Sequence, residues 1–169
     1  MGKVTSTMAM FYGARSFNSD LSKWDVSRVT NLEQTFYASY AFNSDISKWQ
    51  VSKATTLRYT FGIAKLFNSD LSTWDVSKVT NLFSTFGDAW DFNSDLSSWD
   101  VSKITISHSM KNVFHSAKSF NFKSALDVAW ENKNPSIYPG TLMYSGSCSE
   151  DIACGKCGRK STEEGEEGS

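Results

Sequence analysis

The sequence predicts an α/β repeat fold: a leucine-rich-repeat-like solenoid with one short parallel strand and one helix in each unit of about 25 residues. Three observations predict it. The stretch Phe-Asn-Ser-Asp-Leu-Ser-x-Trp-Asp-Val-Ser-x-Val-Thr-Asn-Leu runs from Phe17 to Leu32 and returns at Phe42, Phe67 and Phe92, 25 residues apart; a worn copy opens at Phe120, 28 residues on. The apolar or small positions Leu32, Phe36, Ser39 and Phe42 are spaced 4, 3 and 3, which is helical spacing. Trp24 and Val26 alternate with polar neighbours, which is strand spacing. A unit this small cannot bury its own apolar face, so neighbouring units must stack.

The helix is expected from Thr30 to about residue 41. Thr30, Thr55, Thr80 and Thr105 stand where an N-cap is wanted, and Glu33 completes a capping box with Thr30. The turn-forming triplet Asn43-Ser44-Asp45 ends it. Phe11, Phe36, Phe61, Phe86 and Phe114 form one column and Phe17, Phe42, Phe67, Phe92 and Phe120 another. Small residues (Ala14, Ser39, Ala64, Ala89, Ala117) lie between them. The strand is short and centred on Trp24 to Val26. The Asn column (Asn18, Asn43, Asn68, Asn93, Asn121) suits a buried ladder in which each side chain satisfies turn amides. The Trp column (Trp24, Trp49, Trp74, Trp99) reads as core, with a stacked aromatic binding platform as the alternative.

Two domains of behaviour follow. Residues 1–145 form the repeats with their caps, and 146–169 form a tail. Three extra residues enter between Thr105 and Met110 and should bulge. After Phe120 the pattern decays; Leu126 takes the Trp column, and Asn121 to Tyr144 reads as a closing cap. In the tail Cys148, Cys154 and Cys157 are one ligand short of a tetrahedral zinc set, so no metal site is assigned. Ser161 to Ser169 is acidic and poor in apolar residues, the composition of a disordered end.

Charge bounds the partners. With 17 Lys+Arg against 18 Asp+Glu there is no basic stripe for nucleic acid. No stretch of about 18 apolar residues exists to span a bilayer. The first ten residues lack the apolar core of a signal peptide. No cofactor motif is present. Catalysis needs a constellation of unlike groups, whereas a repeat supplies the same group over and over, so the chain is read as non-enzymatic. The positions left free by the structural columns are charged, with Gln50 the one break in the Asp row: Lys23, Lys48, Asp25, Gln50, Asp75, Asp100, Arg28, Lys53, Lys78 and Lys103. The Asp row and the Arg/Lys row should compensate one another as a surface ladder. These residues are the candidate binding set, for an unknown protein or glycan partner.

The unit Phe-Asn-x-Asp-Leu-Ser-x-Trp-Asp-Val-Ser-x-Val-Thr-Asn-Leu, followed by Phe-x-x-Ala-x-x-Phe, resembles the repeats of BspA-like leucine-rich repeat surface proteins, a family also met among mycoplasma-type surface lipoproteins. The resemblance covers about Phe11 to Asn121. It departs at Leu32, Leu57 and Leu82, where the family has Met; Met110 alone keeps it. The resemblance implies an extracellular or cell-surface protein engaged in adhesion or protein binding, with no enzymatic activity. The alternatives are a lattice-ordering surface for ice or mineral, built on the regular Ser rows, and a purely structural fragment of a larger surface protein.

Overall fold

In the computed structural model, residues 3–135 and 143–144 are described. The repeat units carry neither the expected helix nor the expected strand, so the α/β leucine-rich-repeat-like solenoid is not the fold. Among the described residues the one α-helix, α1 (Lys123–Lys133), lies after the repeats, and a short 3-10 turn spans Ser107–Met110. Parallel pairing is reduced to isolated bridges, Ser6 with Asn31, Asn31 with Thr56 and Thr56 with Asn81. These fall beside the Thr positions, away from the Trp–Val segment.

The units are coils of chained turns. In the segment read as a helix, alternate N–H groups leave the coil. Leu32, Gln34, Phe36 and Ala38 donate to the carbonyls of Thr56, Arg58, Thr60 and Gly62 in the next coil, while Thr35, Tyr37 and Ser39 donate three residues back. An α-helix needs every one of these donors internally. The backbone permits the alternation by entering the left-handed region twice per coil. Gln34 and Ala38 (φ 54° and 57°), Tyr59 and Ile63 (54° and 59°), and Ser84 and Asp88 (49° and 57°) repeat the pattern of Ala9 and Gly13. Left-handed φ costs a non-glycine residue about 1–2 kcal/mol, offset here by the inter-coil bonds it frees. The 4, 3, 3 spacing therefore marks inward-facing turn positions. Leu32, Phe36, Ser39 and Phe42 are all fully buried, but by a chain of turns rather than by a helical face.

Thr30 caps nothing: its N–H and hydroxyl both reach the Thr5 carbonyl one coil earlier. Glu33 closes no box and instead pairs with Arg58 of the next coil at 2.6 Å. The Ala38 site separates the two backbones. In a helix interior Ala38→Gly would cost about 1 kcal/mol. At φ 57° it should instead raise stability by about 0.5–1 kcal/mol, the relieved strain exceeding the added freedom of the unfolded chain. The shift in denaturant midpoint reads the sign directly, and a loss would favour the helix.

The rest of each coil is two tandem turns built on a five-residue pattern: Asp (Gln50 in one copy), apolar, Ser, a polar residue that is most often basic, apolar. In Asp20-Leu21-Ser22-Lys23-Trp24 the Trp24 N–H donates to the Leu21 carbonyl, and the Asp20 carboxylate accepts the Ser22 N–H at 2.8 Å. Asp25-Val26-Ser27-Arg28-Val29 repeats both bonds. Apolar residues turn inward and Ser and basic residues outward, which imitates strand alternation without a strand.

Coils stack in register, so equivalent side chains form columns. Phe36, Phe61 and Phe86 stack at 5.7 and 5.6 Å, and each also stacks on its coil's second Phe, as Phe61 does on Phe67 at 4.0 Å. Offset stacks of this kind add to the apolar burial of each ring. Trp49, Trp74 and Trp99 donate Nε1–H to the Leu21, Ile46 and Leu71 carbonyls of the preceding coil. The Asn ladder is present: each Asn Oδ1 accepts the N–H of the next Asn at 2.8–3.1 Å. It is not buried, since Asn18, Asn43, Asn68 and Asn121 are exposed. A ladder the sequence did not reveal runs through the core, where buried Thr60 and Thr85 hydroxyls donate to the Leu32 and Leu57 carbonyls.

The stack closes at one end. Trp130 of α1, rather than Leu126, continues the Trp column; it stacks on Trp99 at 6.3 Å and donates to the Leu96 carbonyl. Val128, which sequence register aligns with buried Val101, is 64% exposed because helical rise changes the register. Lys133 Nζ gathers the carbonyls of Ser97, Ser98 and Trp99. Tyr144 stacks on Phe114 and Phe120. At the other end Phe11, Phe17 and Trp24 are only half-buried. Cys148, Cys154, Cys157 and the acidic end lie outside the described residues.

Candidate functional site

The ten candidates, nine charged residues and Gln50, fall on the tandem turns. Lys23, Lys48, Arg28, Lys53, Lys78 and Lys103 occupy outward turn corners and are exposed. Asp25, Asp75 and Asp100 are also exposed, but their carboxylates turn in to the backbone two residues ahead, accepting the N–H groups of Ser27, Ser77 and Ser102. The Ser27 and Ser77 hydroxyls also donate, at 2.6 Å, and these hydroxyl bonds with the backbone bonds hold the Asp25 and Asp75 carboxyls below the usual carboxylate range. Among the described residues no direct ion pair joins the Asp row to the Arg/Lys row, because turn closure claims the carboxylates first; Arg28, Lys78 and Lys103 act on Asp25, Asp75 and Asp100 only as a smaller, through-space contribution to their lowered pKa. Gln50 is too long for that closure and turns its amide to the Lys48 carbonyl at 3.4 Å. The structure thus puts the basic members in solvent and ties up the acidic ones.

The chain varies elsewhere. Between coils the residues from Phe17 to Thr30 hardly change; the turn chain before them changes at most outward positions. One column reads Met8, Glu33, Arg58, Phe83; another reads Tyr12, Tyr37, Gly62, Gly87. Their side chains interlock. Tyr12 stacks on Tyr37 at 5.2 Å, Tyr37 meets Tyr59 edge-on at 5.5 Å, and Tyr59 meets Phe83 edge-on at 5.2 Å. The Arg58 guanidinium lies over Tyr59 at 4.7 Å while bonding Glu33. Gly62 makes room for this group, because a Cβ there would stand 2.9 Å from the Tyr37 ring. His108, exposed, stacks on Phe83 at 4.7 Å.

A third variable column reads Arg15, Tyr40, Lys65, Trp90, Lys118. Cation and ring alternate strictly. Arg15 lies over Tyr40 at 5.2 Å, Lys65 over Tyr40 at 4.7 Å and over Trp90 at 4.1 Å, and Lys118 over Trp90 at 3.8 Å. Each is within the range of cation–π attraction. Reading columns for constancy missed this group; reading them for variation would have found it.

The remaining surface offers little enclosure. A shallow, open depression of about 230 Å³ is lined by Asn68, Asp70, Asn93, Ser94 and Asp95, and its polar groups already serve the Asn ladder and the Ser94–Asp70 bond. Among the described residues no group of three or more His, Cys, Asp or Glu is placed to hold a metal, and no helix is long and apolar enough to cross a membrane. A family model described as "Mycoplasma protein of unknown function, DUF285" matches residues 1–74 and again 48–151. No curated protein and no solved structure matches the chain.

Proposed function

The chain belongs to the DUF285 family, and on that premise we propose that it is a non-catalytic repeat protein that binds a protein or glycan partner at a surface. One observation carries this reading. Most constant positions are consumed by turn closure or by contacts between coils, while the varying positions include cations and aromatic rings that meet one another across coils. A stack built only for support has no need of such side chains in solvent. Aromatic residues and Arg are the side chains that interfaces favour. The resemblance to BspA-like surface proteins supports an extracellular or cell-surface place and an adhesive role.

The test is capture by the full chain on a protein pull-down and on a glycan array. A ligand should be found, and charge reversal should weaken its capture: Lys53→Glu with Lys78→Glu if the tandem turns make the contact, Lys65→Glu with Lys118→Glu if the cation–aromatic column does. A ligand indifferent to both pairs, or a repeatable failure to capture any ligand, rejects the reading.

A further inference from the structure

We propose that the dipeptide Met143-Tyr144 is a plug in the seat for one further coil, and that a second copy of this chain displaces it, entering with its own first coil at Met10-Phe11. The inference goes beyond the binding role argued above and is independent of it. It concerns the ends of the stack, whereas that role concerns the outward sides of the coils.

The plug imitates a coil contact by contact. Tyr144 stacks on Phe114 at 5.5 Å and on Phe120 at 6.3 Å. One coil earlier, Phe114 stacks on Phe86 at 5.7 Å and on Phe92 at 6.4 Å. The residue before each ring supplies the same backbone bond. The Met143 carbonyl accepts the Phe114 N–H at 2.8 Å, as the Val113 carbonyl accepts the Phe86 N–H at 2.9 Å. Met143 and Tyr144 are both buried. The seat is one that a coil of this stack fits, and a dipeptide fills it.

The first coil of another copy carries the matching groups uncovered. In the later coils the residue before the ring is Thr35, Thr60, Thr85 or Val113, and its carbonyl already accepts an N–H from the coil before. Among the described residues the Met10 carbonyl accepts none. Met10 is exposed and Phe11 is half-buried. Met10-Phe11 is also the closest match in kind to Met143-Tyr144, a methionine before an aromatic ring.

The Asn ladder points the same way. Asn121 is exposed, and among the described residues its Oδ1 accepts no N–H, so the plug leaves this rung empty. A second copy seated at Met10-Phe11 brings its Asn18 N–H to that oxygen, in the register that joins the Asn43 N–H to Asn18. Trp130 already stands in the Trp column on Trp99, so α1 keeps its place when the plug leaves.

Two first coils do not pair with each other instead. The carbonyls of Asn31, Glu33, Thr35 and Tyr37 all accept from the coil before, and the equivalent row in the first coil is Ser6, Met8, Met10 and Tyr12. Two such rows would set carbonyl against carbonyl. The contact is therefore head to tail; it does not close on itself and extends with concentration. In dilute solution the plug wins, because its tether gives it an effective concentration in about the millimolar range.

The experiment is sedimentation velocity of the full chain and its variants over a concentration series, with hydrogen exchange at the Phe114 amide read alongside. The parent chain should be monomeric in the micromolar range and assemble only as it nears millimolar. Tyr144→Ala and Tyr144→Asp both weaken the plug. Each should form species that lengthen with concentration, starting about 10-fold lower than in the parent, the factor for losing one aromatic stack. Their Phe114 amide should exchange fast when dilute and slowly again on assembly. Adding Met10→Asp, a change at an exposed position, should return both variants to monomers with Phe114 still exchanging fast. Melting curves confirm that each variant is folded. Plug variants that stay monomeric, or assemblies that stop at a dimer, overturn the proposal. Assembly that survives Met10→Asp overturns it as well, since the first coil is then not what enters the seat. A Phe114 amide that stays slow in both dilute plug variants does the same, because Met143-Tyr144 is then no plug.

Discussion

Trp74→Ala should cost about 3–5 kcal/mol of unfolding free energy, the range for truncating a fully buried aromatic side chain. Trp74 is 3% exposed. Its ring stacks on Trp49 at 6.3 Å and tilts against Phe61 at 6.1 Å. Its Nε1–H donates to the Ile46 carbonyl of the coil before, at 3.2 Å, so the side chain joins its own coil to the preceding one. Trp74→Phe keeps much of the burial and removes that bond. The Ile46 carbonyl is not orphaned, because it still accepts the Trp49 N–H. The expected cost is then only about 1–2 kcal/mol, one hydrogen bond and some lost area. Trp24 tests the same column at its open end. It is only half-buried and has no preceding coil among the described residues, so Trp24→Ala should cost less than half as much. Denaturant melts of the three variants settle the order. A Trp74→Ala cost below about 1 kcal/mol would show a surface ring, and the Trp column would then rejoin the candidate binding surfaces.

How the sequence misleads here is specific. It carries the 25-residue register, and with it the Phe, Trp and Asn columns of the regular coils, because equivalent residues recur at fixed spacing. It does not carry the backbone that joins them. Leu32, Phe36, Ser39 and Phe42 fit a helical face, and nothing in that spacing separates a helix from turns whose inward positions also fall 4, 3 and 3 apart. The separating fact is the left-handed φ of Gln34 and Ala38, and neither residue type announces it; Gly13, in the same place one coil earlier, is the one residue that does. The strand failed for a related reason. Trp24 and Val26 do face inward together, but two Asp-closed turns achieve that, and Asp20 and Asp25, five apart before Ser22 and Ser27, are the visible sign of them. The charged candidates were chosen as what remained outside the structural columns. That reasoning could not see that Asp25 and Asp75 are spent on turn closure, or that Arg15, Tyr40, Lys65 and Trp90 touch across coils.

Phe61→Ala should match Trp74→Ala in cost, about 3–5 kcal/mol, and go beyond it in its effect on cooperativity. Phe61 is fully buried and lies at a crossing of columns: Phe36 at 5.7 Å before it, Phe86 at 5.6 Å after it, Phe67 at 4.0 Å in its own coil and Trp74 at 6.1 Å. A stack of repeats is stable through its nearest-neighbour interfaces, because each coil touches only the coils beside it. Phe61 lies between Phe36 and Phe86 and stacks on both, so a hole there weakens the interfaces on both its sides. The capped half, with Trp130 and Tyr144 closing it, should then outlast the open half. The expected result is a broadened denaturant transition with a reduced slope, the sign that all-or-none unfolding has failed. Phe61→Leu, which fills most of the same space, should cost less and restore a single sharp transition. Phe11→Ala, at the end where no coil precedes it among the described residues, should lower stability without broadening. If Phe61→Ala unfolds as sharply as the parent chain, the coils are coupled by more than their rings, and the backbone bonds from Phe36 to Thr60 and from Phe61 to Thr85 are what hold them.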